Sequence, residues 1–263
     1  MNYELLILLL FLGSFVGLLS GLLGIGGGLV VVPSLVFLLP YFDVPPEQVM
    51  HVALATSLST IIVTSGASSL NHLKLGNIDF FAIKWLIPGV ILGGVAGSYV
   101  AEFIPHQYLP RVFAVIVLAM AIQMLTSIKV SKARSMPSPI ITSVNGLIIG
   151  VVSSLAGIGG GSMSVPFLNR HGVEMRKAVG CSSFCGCLLA VAGMLGFVFH
   201  GFQLQNLPAY SVGYVYLPAL LAIVATSVFT TRFGAKLATR LATSKLKKIF
   251  AVFLLFVSFS MML

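Results

Sequence analysis

The chain has 263 residues, 58% of them hydrophobic and 8% charged, and a mean hydropathy of +1.07. That composition excludes an ordinary soluble globular protein and predicts an all-α integral membrane protein, each span needing ~20 apolar residues. A formal net charge of +9 does not point to nucleic acid, because the basic residues fall in loops between apolar runs, where the positive-inside rule puts them.

The chain opens Met1, Asn2, Tyr3, Glu4, without the basic stretch of a cleaved leader, so the first helix is expected to stay in the mature protein. Residues 3–42 are too many for one span. Gly24, Ile25, Gly26, Gly27 and Gly28, followed by Pro33, predict a helix, a break, and a shorter second helix. Gly13, Gly17 and Gly21 form a small-residue face that allows close packing in lipid. A span over about 48–71 carries Thr56, Thr60, Thr64 and Ser68 on one face, with Ser57 and Ser65 beside them. Spans at about 80–101, with Gly89, Gly93 and Gly97, and at about 108–128 complete a first half, residues 1–128. A basic, proline-containing linker covers 129–139.

The second half, residues 140–263, opens with a unit over about 140–169 whose second arm is too short to cross alone. Spans at about 178–199, 209–231 and 247–263 follow. Arg232, Lys236, Arg240, Lys245, Lys247 and Lys248 predict a helix running past the membrane toward anionic headgroups.

The second half repeats the first. Gly157, Ile158, Gly159, Gly160 and Gly161, with Pro166 beyond, restate the first glycine stretch at the same spacing. Gly146, Gly150, Ser154 and Gly157 align with Gly13, Gly17, Gly21 and Gly24. If each glycine unit crossed the membrane once, the basic loops would divide between both faces. If each is a hairpin returning to its own side, every Lys and Arg except Arg111 shares one face, and Glu4, Asp43, Glu47 and Glu102 share the other. The hairpin topology is therefore expected, with basic loops cytoplasmic and both termini outside. Each half then crosses three times, making the halves inverted repeats of the kind that build transporters.

At a helix break, backbone N–H groups lack intrahelical partners and glycines let a ligand approach them, which suits an oxyanion. Thr56 and Ser57 lie ~12–14 Å along their span, near mid-membrane. Cys181 and Ser182 are their counterparts, and Cys185 that of Thr60. Hydroxyls and thiols can donate to an anion without carrying charge, although Thr60, Thr64 and Ser68 are expected to bond back to their own helix. No Asp or Glu lies mid-span, which weighs against cation pumping. His51, His72 and His200 sit near span ends, where a structural role is the simpler reading. Cys181, Cys185 and Cys187 crowd into one apolar span, unlike a disulfide framework, and no zinc spacing is present. The glycine stretches lack the strand and acidic residue of a dinucleotide site and the Gly-Lys-Ser/Thr ending of a phosphate loop.

Two glycine stretches with trailing prolines, each followed by an Ala-Thr-Ser-like element, resemble the sulfite exporter TauE/SafE family of membrane permeases across nearly the whole chain. The resemblance implies export or exchange of sulfite or organosulfonates at a bacterial-type inner membrane. It implicates Gly24, Gly26, Gly27, Gly28, Pro33, Thr56 and Ser57, with Gly157, Gly159, Gly160, Gly161, Pro166, Cys181 and Ser182, as substrate-binding residues. Cys181 departs from the threonine expected before the serine. A secondary carrier working by alternating access, with no cofactor and no nucleic-acid partner, is the resulting expectation. An anion channel, a sulfur-compound uptake carrier and an intramembrane thiol oxidoreductase are its alternatives.

Overall fold

The computed structural model describes residues 3–23, 27–126, 134–204, 206–238 and 243–262. Gly24 and Gly26, residues 127–133 with the first part of the linker, and Arg240 lie outside the described residues, as do the side chains of Lys236, Lys245 and Lys247. The fold is all-α. The first half contains α1 (Tyr3–Leu23), α2 (Gly28–Leu38), α3 (Val49–Lys74), the single turn α4 (Phe80–Ile83), α5 (Leu86–Phe103) and α6 (Leu109–Leu125). The second contains α7 (Pro139–Leu155), α8 (Gly161–Arg170), α9 (Met175–Gly201), α10 (Leu217–Ala238) and α11 (Thr243–Met262).

Local sequence accounts for these boundaries. Proline at the first position of α7 gives up a donor the helix could not use there. Gly160 ends the second break in the left-handed region, φ 69°, and α8 follows directly. On the first side, a 3-10 turn over Leu39–Phe42 ends α2, and Asp43 takes φ 57° to turn the chain. Five helices are long and apolar enough to cross a membrane, α1, α3, α5, α9 and α10 among the described residues. α3 is the most enclosed, with 72% of its apolar window buried against 28% for α1 and for α10, whose outer faces remain for lipid.

One expected helix is a different element. Residues 209–216 do not belong to the following span: Ser211–Val212 (β1) and Val215–Tyr216 (β2) pair antiparallel in a hairpin, and α10 starts only at Leu217. Tyr210 at φ 67° and Gly213 at φ 54° break helical continuity. Gly213 also packs directly on the backbone of Val198, a place with no room for a side chain.

The helices pair in a pattern that maps onto itself when the halves are exchanged. α1 packs along α10, and its counterpart α7 packs along α5. α3 meets α9, α6 meets α11, and the short arms α2 and α8 lie on α3 and α9. The correspondence reaches single residues. Gly146 lies against the Leu86 carbonyl and Gly150 against that of Val90, as Gly13 lies against the Ile223 carbonyl and Gly17 against that of Ser227. The small-residue faces thus serve close helix crossing. In Gly93→Leu the side chain would meet the Leu147 carbonyl and Gly150. Overpacking of that kind is expected to cost about 1–3 kcal/mol, read as a lowered thermal unfolding midpoint in detergent.

Candidate functional site

The start of α2, at Gly27 and Gly28, meets the second glycine break inside the bundle. Gly28, the first residue of α2, presses on the carbonyl of Gly157, and a Cβ on Gly28 would land on that oxygen. Ser57 of α3, fully buried, donates to the same carbonyl at 2.8 Å. Gly157 turns the chain with φ 58°, and a Cβ there would run into the side chains of Val32 and Leu54. On its far side the Gly159 carbonyl packs into α9 at Gly186. The crossing therefore joins Gly28, Ser57, Gly157 and Gly159. Gly27 packs on Val16, its carbonyl accepting from Val30 and Val31, and Pro33 is buried within α2.

The second break leads directly into the N-terminus of α8, an end whose partial positive charge favours an anion. The first closed turn of α8 returns the amides of Met163 and Ser164 to the Gly160 carbonyl, at 3.1 and 2.9 Å. The amides of Gly161 and Ser162, the first two of α8, precede that turn, where a helix leaves donors without intrahelical partners. Ser164 donates to the Gly160 carbonyl at 2.8 Å and bonds Ser182 at 2.7 Å, tying the start of α8 to α9. Beside Gly160 stands Ser153 of α7, fully buried, its hydroxyl without a hydrogen-bond partner among the described residues. An unpaired buried hydroxyl is costly. Ser153 and Ser164 were not singled out by sequence, and the only signal for them was small polar residues inside an apolar run.

Thr56 and Cys181 play matching parts at opposite ends of the central pair. The Thr56 hydroxyl accepts the Tyr216 amide at 3.1 Å, at the start of α10. The Cys181 sulfur accepts the Asp79 amide at 3.1 Å, just before α4. Each clasps the chain entering a helix of the other half, and neither reaches the Gly157 carbonyl as Ser57 does. Thr60 bonds the Ser57 carbonyl at 2.7 Å and Thr64 that of Thr60 at 3.2 Å, both within α3 as expected. Ser68 instead reaches Ser183 across α9, at 3.1 Å. Cys185 is buried, and the Cys187 thiol lies 3.8 Å from the Ile62 carbonyl.

Pro166 opens onto a cavity of about 430 Å³ bounded by α6, α7 and α8. Arg134, Arg170 and His171 line it, together with Asn145 and Phe167. Ile149 lines the cavity and also touches the Gly160 turn, so the basic cavity adjoins the second break. Among the described residues no three His, Cys, Asp or Glu side chains gather as a metal site.

A multi-pass helical bundle with an irregular glycine turn buried inside it has the build of a membrane transporter, since irregular backbone at that depth is tolerated only inside protein or beside a polar cavity. The chain belongs to the sulfite exporter TauE/SafE family, whose model matches residues 9–261. It is 42% identical over 263 residues to a probable membrane transporter protein of Haemophilus influenzae, covering 99% of both chains. It is 30% identical to one of Methanocaldococcus jannaschii, covering 92% of this chain and 90% of that one. A third, YunE of Bacillus subtilis, is 25% identical over 95% of each. No solved structure matches the chain.

Proposed function

We propose that this transporter carries a small sulfur-containing oxyanion, sulfite or an organosulfonate, outward across the inner membrane by alternating access. The halves 1–128 and 140–263 act as inverted repeats that rock about the central crossing, with 129–139 as the cytoplasmic linker and both termini outside. The observation that carries this reading is the donor set at the second break: the amides of residues 161 and 162 that open α8 and the buried Ser153 hydroxyl, which has no partner among the described residues. Such a set suits an anion held without a full countercharge. Gly24, Gly26, Gly27, Gly28 and Pro33, with Thr56, Ser57 and Cys181, complete the proposed binding region. The exchange of helix contacts between halves supports the repeat reading. The family description supports the sulfur anion. The arginine-lined cavity supports loading from the basic, cytoplasmic face.

The test is flux of labelled sulfite in proteoliposomes, with sulfate, thiosulfate, taurine and sulfoacetate as competitors. Saturable flux with counterflow is the expected result, and linear flux without counterflow would make the protein a channel. Replacing Cys181, Cys185 and Cys187 together with serine is expected to leave most of the flux, because a serine hydroxyl at 181 can still accept the Asp79 amide and donate to an anion. Loss of all activity in that folded variant would revive the thiol oxidoreductase reading.

A further inference from the structure

At the end of the bundle that carries Asp43, Glu47 and Glu102, a buried titratable cluster stands apart from the anion site. His51 is 6% exposed. Its Nε2 lies 3.2 Å from the Ala101 carbonyl oxygen and 3.9 Å from a Glu102 oxygen. A carbonyl partner requires Nε2–H, so Nδ1 carries the lone pair of the neutral ring. Nδ1 is buried without a hydrogen-bond partner and faces the Glu47 carbonyl one turn back. The ring stacks on Tyr214 at 5.0 Å and meets Phe197 of α9 edge-on. Tyr214, in the hairpin turn, donates its hydroxyl to both Glu102 oxygens, at 3.3 and 3.2 Å. The Glu102 side chain is 35% exposed and so reaches water.

The groups facing His51 are thus Glu102 at the end of α5, His106 beyond it, the Glu47 carbonyl before α3, and Tyr214. Burial, with Glu102 beside it, pushes the Tyr214 hydroxyl up, so it stays a donor throughout the physiological range. Two residues further on, the Tyr216 amide is held by Thr56. The hairpin therefore bridges the cluster and the proposed binding region.

We infer that His51, Glu102 and Tyr214 form a proton-binding site, and that a proton bound there loosens the hairpin from Thr56 and so couples the carried anion to a proton. The coupling rests on the transport reading above, whereas the proton site does not. The proton comes from the adjoining water and adds to His51 Nδ1, forming one N–H bond and breaking none in the protein. That N–H meets the Glu47 carbonyl, and the imidazolium, now +1, competes with Tyr214 for the Glu102 carboxylate. Tyr214 loses its charged acceptor, and the turn that positions the Tyr216 amide relaxes.

The test is amide hydrogen exchange of the 211–216 hairpin in purified protein without anion, between about pH 8 and about pH 5, corrected for the intrinsic pH dependence of exchange. Wild-type protection is expected to fall at least about tenfold, or ~1.4 kcal/mol, at the acid end. Tyr214→Phe, which keeps the stacked ring, is expected to give weak protection at both ends. His51→Gln is expected to give strong protection that does not change with pH. Wild-type protection that is flat across the range overturns the proton site. In proteoliposomes, an outward proton gradient, acid inside, is expected to drive sulfite accumulation in exchange for protons, as export in exchange for inward protons requires, and both variants are expected to lose it while keeping counterflow at equal pH. Wild-type counterflow without gradient-driven accumulation overturns the coupling. Absence of any counterflow overturns the sulfur-anion reading and the coupling built on it, while the exchange result still decides the proton site.

Discussion

Replacing Gly28 with leucine is expected to abolish transport and sharply reduce the yield of folded protein. The first atom of any side chain there would sit on the Gly157 carbonyl, with Ile61 closing the remaining side. A backbone oxygen already bonded to Ser57 cannot turn away without breaking the second glycine turn, which is itself in the left-handed region. Overpacking costs typically about 1–3 kcal/mol and more where the obstacle is backbone. Gly66→Ala supplies the comparison. A Cβ there meets only the Cys187 sulfur at 3.7 Å, an ordinary contact. It stands inside α3, where alanine favours the helix by up to about 1 kcal/mol. Monodisperse yield in detergent and labelled-anion flux should separate the two variants clearly. Normal folding and flux in Gly28→Leu would mean that the breaks do not need their close approach.

The second large effect is expected from Ser57→Ala. It removes the only side-chain donor to the Gly157 carbonyl among the described residues and leaves that oxygen buried between α2 and α3. Leaving a buried acceptor without its partner costs about 1–3 kcal/mol. The thermal midpoint should therefore fall even without anion, and flux should fall at least about tenfold, since 1.4 kcal/mol is a factor of ten. Ser57→Cys, which restores a weak donor, is expected to fall between the two. Wild-type stability and flux in the alanine variant would remove Ser57 from the working crossing.

Much of this architecture could be read from the order of residues. Glycines and prolines act locally, so the second break, both short arms and the small-residue packing faces follow from spacing alone, as Gly160 and Gly93 illustrate. Most helix ends were legible to within a few residues for the same reason, but α5 starts at Leu86 after the separate turn α4, and α10 covers Leu217–Ala238 where a span over about 209–231 was expected. The β1 and β2 hairpin was not. Its valines and tyrosines are as apolar as a span, and only the positive φ of Tyr210 and Gly213 distinguishes it. The cluster of His51, Glu102 and Tyr214 was hidden for a different cause, because its members come from three elements far apart in the chain and meet only after folding. Ser153 was overlooked because small hydroxyls in apolar helices usually bond their own backbone. Its neighbour across the turn, Gly160, is what gives it meaning.

The paired clasps at Thr56 and Cys181 bear on which way such a machine rests. A duplicated bundle has two mouths of the same design and no inherent reason to prefer one shut over the other. In the proposed carrier the clasp at one end is an oxygen and at the other a sulfur, a weaker acceptor, each at 3.1 Å from an amide. A difference of even ~0.6 kcal/mol tilts a two-state balance nearly threefold. The asymmetry that gives a symmetric carrier a default orientation can thus reside in a single atom, on the side where the chain meets its basic loops.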